Sequence, residues 1–450
     1  MSFYNDWGFR ENPFTSYPLG PDEEGENLLI GRDKELSRLM ERIQSPPRLP
    51  TVEGGVGAGK TSLVNVATYK LTKQFLTART GDLYVACSKV FQISNLSQLE
   101  RLEEDFYFSV AQTLIGLNEE KYKFRFASSA KSKIESWLNS PTFKQVEIGG
   151  SLFGHGLSAG GGSSPNTATG FDKSGFRKAV RDWLYEVFPL GGGIVCVIDN
   201  MELLQESTDA RKAIESLRDS LLNTHGTRWV LCGANGIIQG VVSSARLDRR
   251  VYVPIVIDRL GDDFIDKVFE SRINVFSKFQ GSGYLPLTKV AFRVLYEALN
   301  RNLGNLIAAA DEYCIWSKDH ESTPQTDKEK DDAFYKWFYE DVAAVYAAAK
   351  TQCKARSLEV LDAIISGAGG NCSPGDYDMF GFKSPQVMRA HIKELEDGGL
   401  LISVQDEKDQ RRKSIQVTSK GYRAYYHKCL IGIQRTLEQV RQAILADSMS

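Results

Sequence analysis

Apolar positions in the first 258 residues follow two alternating patterns. Residues 194–198 are five consecutive apolar residues, which indicates a strand buried on both faces of a parallel sheet. Phe106, Val110 and Leu114 instead lie about one helical turn apart and predict an amphipathic helix. Further strands are predicted at 49–53, 83–91, 229–233 and 251–257. This alternation predicts a three-layer α/β domain over residues 1–258, with helices on both faces of a parallel sheet.

The pattern changes after residue 258. From 259 to 350 the periodicity is helical, which predicts a helical lid, and the polar stretch 321–332 is interpreted as a linker within it. The segment 351–450 begins with two helical patterns, continues into a hairpin with a charged tip at 406–413, and closes with a helix. Helices followed by such a hairpin are typical of a winged helix-turn-helix domain.

Residues 119–171 interrupt the α/β alternation. They contain seven glycines between 148 and 164, without the spacing of a dinucleotide-binding fingerprint. A flexible insertion or a glycine-rich hairpin is one interpretation of this stretch. A contact loop for DNA or for a neighbouring subunit is the other.

Composition restricts the class of protein. Of the 450 residues, 42% are hydrophobic and 25% are charged, as in soluble globular proteins, and the net charge is -2. A nearly neutral chain has no global field for nucleic acid or membrane, so any basic patch must be local. The seven cysteines are dispersed and odd in number, which favours reduced thiols and a cytoplasmic location. There is no signal-peptide pattern and no apolar run long enough to span a bilayer, so we expect no membrane partner.

Residues 54–61 match the pattern Gly-x-x-x-x-Gly-Lys-Thr between a predicted strand and a predicted helix. Glycines allow positive φ, so backbone N–H groups can surround phosphate oxygens at the positive end of the following helix. Lys60 is expected to bind the β- and γ-phosphates, and Thr61 to offer its hydroxyl to Mg²⁺. A glycine-rich turn before an ordinary helix is the alternative. The residues expected to bind the nucleotide here are Gly54, Gly55, Val56, Gly57, Ala58, Gly59, Lys60, Thr61 and Ser62.

Asp199 directly follows the buried strand 194–198. Ligands bind at the carboxyl ends of the strands in open α/β sheets, so this carboxylate is expected beside residues 54–61, which we call the phosphate loop. The two features together predict a site for ATP and Mg²⁺, in which Asp199 holds the metal through water.

The order of these motifs resembles that of the AAA+ ATPases, in particular the origin-recognition or initiator-like branch, over about the first 345 residues. In this resemblance 54–61 is the Walker A motif and 194–199 is the Walker B motif of a P-loop domain. The other family positions fall on Gly31 and Arg32 on the adenine side, Asn235 as first sensor, and Arg249 or Arg250 as arginine finger. Such a finger reaches the γ-phosphate of a neighbour, which implies self-association into an ATP-bridged oligomer.

Two positions depart from the family pattern. Asn200 stands where the family places the Glu that aligns the attacking water, and an amide cannot accept that proton. Glu202 is a candidate for a slow base, with capping of the next segment as the alternative. Ile307 stands where the lid usually carries a sensor arginine, and it offers no charge to the γ-phosphate. These departures favour slow hydrolysis and an ATP-dependent assembly switch over a fast motor.

The tail from about 355 to 430 resembles MarR-type winged helices, with the charged tip 406–413 and the turn 418–421 as the specific part. Bases barely outnumber acids over 351–450, but cations are concentrated at the tip and on the predicted recognition helix. A helix in the major groove and a tip in the minor groove would use them for base and phosphate contacts. The expected DNA contacts are Lys383, Ser384, Gln386, Arg389, Lys393, Arg411, Arg412 and Lys413. Because winged helices also dock proteins, a protein partner is the alternative.

The sequence therefore predicts an ATP-dependent DNA-binding protein. Nucleotide binding and slow hydrolysis would control both its oligomeric assembly and its engagement of duplex DNA. A signalling or anti-phage defence NTPase switch, whose winged helix docks a protein, is a second hypothesis. A transcription regulator whose nucleotide site has become structural is a third.

Overall fold

The computed structural model describes residues 2–117, 134, 142–144, 163–165, 173–204, 207–218, 220–234, 236–242, 246–247, 249–279, 283–320, 323–405 and 413–431. The elements up to residue 256 are α1 (Phe3–Asp6), α2 (Glu23–Leu28), α3 (Asp33–Ile43), β1 (Thr51–Glu53), α4 (Lys60–Ala78), β2 (Tyr84–Gln92), α5 (Leu99–Ile115), β3 (Thr142–Lys144), β4 (Ser163–Pro165), α6 (Lys173–Val187), β5 (Gly193–Asp199), α7 (Ser207–Arg218), β6 (Thr227–Gly233), α8 (Ile237–Val242) and β7 (Ile255–Val256).

Five of these strands form one parallel sheet in the order β2-β5-β6-β1-β7. Strand β5 is buried along its whole length, and its alternate residues belong to two different cores. Cys196 packs towards α5, α6 and α7, whereas Val195 and Val197 pack towards α3 and α4. The predicted α/β class with a doubly covered parallel sheet is thereby confirmed.

The predicted strand 251–257 is too long. Only Ile255–Val256 pairs as a strand, while Val251 forms an isolated bridge with Leu49. Pro254 lies between these two points, and because proline has no N–H it cannot continue the hydrogen-bonded ladder.

The prediction of a linker over 321–332 is wrong for the second half of that stretch, because α12 already begins at Asp327. Thr326 and Glu329 form a capping box, in which each side chain accepts a hydrogen bond from the backbone N–H of the other residue. The capping box thus allows a helix to begin within a charged stretch that composition alone assigned to a loop.

The glycine-rich insertion is described only at residue 134 and in two short strands. Strand β3 pairs antiparallel with β4 across the glycine-rich stretch. The rest of 119–171 lies outside the described residues, so both interpretations of its role stay predictions.

Residues 262–352 form what we call the helical region. Its helices are α9 (Asp262–Phe276), α10 (Lys289–Ala298), α11 (Leu303–Asp319) and α12 (Asp327–Gln352). Tyr4, Phe9 and Phe14 from the N-terminal segment are fully enclosed in the core of this region. The start of the chain therefore packs against helices nearly 300 residues away in the sequence, which the local pattern did not predict.

Residues 355–431 form what we call the C-terminal unit. Its elements are α13 (Ala355–Ala368), β8 (Asn371–Cys372), α14 (Pro385–Asp397), β9 (Leu401–Gln405), β10 (Lys413–Val417) and α15 (Ser419–Ile431). The three strands form an antiparallel sheet in the order β8-β10-β9.

Helix α12 ties the C-terminal unit to the helical region. Val342 lies in the core of the helical region and Ala349, two turns further on, in the core of the C-terminal unit. Arg423 of α15 forms a two-point ion pair with Asp341 of α12. Among the described residues, no helix has the combined length and apolar character needed to cross a membrane.

Candidate functional site

The loop between β1 and α4 has the backbone geometry of a phosphate cradle. Gly57 and Gly59 have φ of 79° and 91°, in the left-handed region where a side chain would be strained. A β-carbon at Gly57 would also lie 2.8 Å from the Oδ1 atom of Asn302. Glycine is therefore required at Gly57 by both conformation and space.

Lys60 is the first residue of α4, and it is only 4% exposed. Its ammonium donates to the carbonyl oxygens of Gly54 at 3.0 Å and Gly55 at 3.2 Å. A buried ammonium needs such partners, and anionic phosphate oxygens are stronger acceptors than carbonyl oxygens. The cation is thus held at the start of the helix, where the helix dipole also favours an anion.

Thr61 and Asp199 come together although they are distant in the sequence. The Thr61 hydroxyl donates to the Asp199 carboxylate, which is 6% exposed at the carboxyl end of β5. These two oxygen donors fit Mg²⁺, which binds to one or two protein oxygens and completes its shell with phosphate and water. Among the described residues, no three His, Cys, Asp or Glu side chains converge on a metal site of their own.

A cleft of about 270 Å³ extends from the phosphate loop. One wall is apolar and comes from the N-terminal segment, at Pro18, Leu19, Leu28, Leu29 and Ile30. The other wall comes from the helical region, at Val268, Arg272, Leu303, Gly304 and Ile307. An apolar slot beside a polar cradle suits a nucleoside base attached to phosphates.

The N-terminal wall is fixed by hydrogen bonds that sequence reasoning missed. The N–H of Leu19 donates to the Ser62 hydroxyl at 3.1 Å, and its carbonyl accepts from Asn65 at 2.8 Å. Arg272 donates to the carbonyls of Pro13 and Thr15 at 2.8 and 3.2 Å. Burial lowers the pKa of Arg272 to about 10, so this arginine is still charged at neutral pH.

Arg32 lines the cleft and is buried, whereas Gly31 is not among the cleft residues. The Arg32 guanidinium donates to the carbonyl of Asp258 at 2.6 Å and pairs with Glu35 at 3.4 Å. Gly31 has a φ of 72°, and a β-carbon there would lie 2.8 Å from the ring of Phe264. Arg32 thus ties this segment to the chain at Asp258, and glycine at Gly31 allows the backbone to pass close to Phe264.

The candidate catalytic positions are not all brought together. Asn200 lines the cleft, with a φ of 55° and its N–H donating to Asp199 at 2.8 Å. Glu202 lies in the next turn and is absent from the described cleft lining; its buried Oε2 has no hydrogen-bond partner among the described residues. Asn235 lies outside the described residues.

Arg249 and Arg250 are exposed and are not among the residues that line the cleft. They directly precede Val251, whose bridge to Leu49 is at the amino end of β1, whereas the phosphate loop follows the carboxyl end of that strand. Their side chains are therefore on the opposite edge of the sheet from this chain's own loop. Only a second molecule could bring them to a phosphate site, and their finger role stays a prediction.

The structure describes the side chains of some of the residues predicted to contact DNA, but not of all of them. Lys383, Arg389 and Lys393 lie on or beside α14, are exposed, and form no ion pair with any described residue. Gln386 is also exposed, and Ser384 is the N-cap of α14 without a side-chain capping bond. A groove of about 540 Å³ runs along this helix and is lined in part by Arg389 and Lys393. Only the backbone of Lys413 is described, paired in β10 with Gln405, and Arg411 and Arg412 lie outside the described residues.

No family model and no curated protein matches this chain. Among solved structures, the ORC1 protein of Aeropyrum pernix in complex with DNA is similar at 14% identity and a TM-score of 0.43, covering 94% of this chain and 98% of that one. The ORC2 protein of the same organism, in ADPNP–ADP complexes, is similar at 11% identity and a TM-score of 0.45, covering 97% and 99%. Cdc6p from Pyrobaculum aerophilum is similar at 12% identity and a TM-score of 0.37, covering 97% of each chain. At these scores and identities the likeness does not establish a family, so the functional proposal depends on the site itself.

Proposed function

We propose that this chain is an ATP-dependent DNA-binding AAA+ protein. The observation that carries the proposal is the meeting of Lys60, Thr61 and Asp199 at the carboxyl edge of a parallel sheet, beside a cleft with an apolar wall. A buried ammonium, a glycine-rich cradle and two oxygen donors are together the chemistry that a triphosphate with Mg²⁺ requires. An ordinary glycine-rich turn would not need a buried lysine held on two loop carbonyls.

Hydrolysis at this site is slow in our proposal. Thr61 and Asp199 hold Mg²⁺, which when bound neutralises charge on the phosphates. Asn200 faces the cleft but cannot accept a proton, and the described cleft lining includes no other carboxylate than Asp199. Arg249 or Arg250 of a neighbouring molecule supplies the missing positive charge, so turnover and assembly depend on each other.

The helical region acts as the lid, and the C-terminal unit acts as a winged helix that engages duplex DNA. The exposed cations on and beside α14 support this role, because they form no ion pair with any described residue and a cation in that state can bind a phosphate. If about four phosphates are neutralised per molecule, log K falls with log salt with a slope of about −3.6. Weak binding by one molecule becomes tight when ATP joins several.

One experiment tests these parts together. Calorimetry with ATP and Mg²⁺, ATPase rate and oligomer size are measured with and without duplex DNA, for the wild type and for Lys60→Ala. We expect heat, slow turnover and ATP-dependent assembly in the wild type alone. The absence of heat with any nucleotide would overturn the nucleotide site, and equal DNA affinity in both proteins would overturn the coupling.

A switch that docks a protein is the second candidate, and one observation favours it. Met379 and Val387, beside and on α14, are 67% and 51% exposed, which leaves apolar surface next to the cations. If duplex DNA gives no shift even at low salt while ATP-dependent assembly is intact, this candidate replaces the first.

A further inference from the structure

The N-terminal end of helix α11 is hydrogen-bonded directly to the phosphate loop. The Asn302 side-chain amide donates to the carbonyl of Val56 at 2.7 Å, and the N–H of Gly304 donates to the carbonyl of Gly57 at 3.0 Å. A β-carbon at Gly304 would lie 2.9 Å from the Cα of Gly57, so the two backbones are in direct contact. No flexible side chain separates helix and loop here, and a displacement of one must move the other.

Asn302 has a second role at the same point. Its Oδ1 accepts from the N–H of Asn305 at 2.9 Å, so it is also the N-cap of α11. One side chain therefore fixes both the start of the helix and the outer face of the loop.

The same helical turn also contacts the C-terminal unit. The Asn305 side-chain amide donates to the Ser419 hydroxyl at 2.6 Å, and that hydroxyl donates to the carbonyl of Leu299 at 3.0 Å. Ser419 is the first residue of α15, which the ion pair between Arg423 and Asp341 holds on α12. A single turn of α11 thus lies between the phosphate loop and the C-terminal unit.

A triphosphate would change the forces on this loop. Lys60 now donates to the carbonyls of Gly54 and Gly55, and phosphate oxygens would draw its ammonium away from them. The released carbonyls are adjacent to those of Val56 and Gly57, which α11 holds. Ile307 has no charge with which to respond to the nucleotide, whereas the hydrogen bonds of Asn302 and Gly304 to the loop give a direct route from loop to helix.

We propose that Asn302 and Gly304 are positioning residues that respond to the state of the phosphate loop, and that Asn305 and Ser419 transmit this state to the C-terminal unit. The inference rests on the proposed nucleotide site and adds the residues through which it acts. Two sites are coupled in this sense only if a shared element has two arrangements that both sites bias. That element is the first turn of α11.

Hydrogen–deuterium exchange on the full chain tests the route. Exchange at 303–307 and at 419–427 is compared with and without ATP and Mg²⁺, and calorimetry on the same samples reports binding. The variants are Asn302→Ser, which keeps a capping hydroxyl but is too short to reach Val56, and Asn305→Ala and Ser419→Ala, which break the second link. Ser366→Ala is the matched control, because among the described residues that hydroxyl donates to the carbonyl of Asp362 in its own helix and to no other group.

In the wild type and in Ser366→Ala, ATP changes exchange at both segments. In Asn305→Ala and Ser419→Ala the change at 303–307 persists while that at 419–427 falls by about fivefold, the lower end of typical coupling. In Asn302→Ser both changes fall. Thermal midpoints close to that of the wild type show that the variants are folded.

The two possible failures have different signatures. If the wild type binds no nucleotide, the proposed function falls and this inference falls with it. If the wild type binds ATP but 419–427 does not respond, or responds equally in Ser419→Ala, the transmission route alone is overturned.

Discussion

The cleft proposed for the nucleotide and the exposed face of α14 have positive charges in opposite environments. Lys60 is buried and already satisfied by two loop carbonyls, whereas Lys383, Arg389 and Lys393 are exposed and form no ion pair with any described residue. A buried charge acts on one ligand at short range, and its loss leaves a polar cavity. Exposed charges act additively, are screened by salt and tolerate substitution. We therefore expect all-or-none effects in the cleft and graded effects on α14.

The largest effect is expected from Lys60→Ala. Loss of the ammonium removes charge-assisted hydrogen bonds worth about 1.5–3 kcal/mol each, so nucleotide affinity falls by about 100-fold or more. Lys70→Ala on the same helix is the control, because Lys70 is half-exposed, lies outside the cleft lining and pairs with Glu26 among the described residues. Calorimetry with ATP checks both variants, and a similar loss in the two would remove the contrast between buried and exposed lysines.

Asp199→Asn is expected to weaken Mg²⁺ binding while nucleotide binding without the metal is unchanged. The amide oxygen still accepts a hydrogen bond from Thr61, but the side chain lacks the charge that holds Mg²⁺. The Mg²⁺ concentration that gives half-maximal ATP hydrolysis therefore rises by about tenfold or more. Binding of nucleotide in the presence of a chelator stays close to that of the wild type. Titration of the ATPase rate with Mg²⁺ checks this, and an unchanged midpoint contradicts the role of Asp199.

Arg389→Ala with Lys393→Ala is expected to give a graded loss. Each neutralised phosphate contributes about 0.9 to the salt slope, so the double variant lowers the slope by about 1.8 and weakens DNA binding at every sequence. Lys318→Ala on α11 is the control, because Lys318 is exposed but lies outside the C-terminal unit and pairs with Asp319. Fluorescence anisotropy over a salt series measures both, and an unchanged slope would show that α14 does not meet phosphates.

The smallest effect concerns the pH dependence of the N-terminal wall. Hydrogen bonds from Lys73 and Lys70 hold the pKa of Glu26 below its usual range. Because the folded pKa is lowered, the pair stabilises the protein above the unfolded pKa and this contribution is lost as the pH falls through the folded value. Glu26→Gln is therefore expected to lower the thermal midpoint slightly at about pH 7 and not at about pH 3. Equal differences at both pH values would show that packing, rather than charge, is responsible.

Patterns with short periods predicted most of the sheet but misplaced two boundaries. Strand β5 and the phosphate loop were predictable because burial on both faces and positive φ each demand particular residues in consecutive positions. The strand interrupted at Pro254 and the capping box that starts α12 at Asp327 were not, because each depends on which local backbone N–H groups are present or capped rather than on hydrophobic periodicity.

The sequence by itself determined the parallel α/β sheet and the chemistry of the phosphate loop, since both depend on residues that are close together in the sequence. Only the tertiary structure decided what surrounds that loop. Arg272 meets Pro13 across 259 positions and Asn305 meets Ser419 across 114, and neither pair has a local signal. The reason is physical: single polar contacts between distant segments depend on how whole helices pack, whereas periodicity reports only which face of each helix is buried.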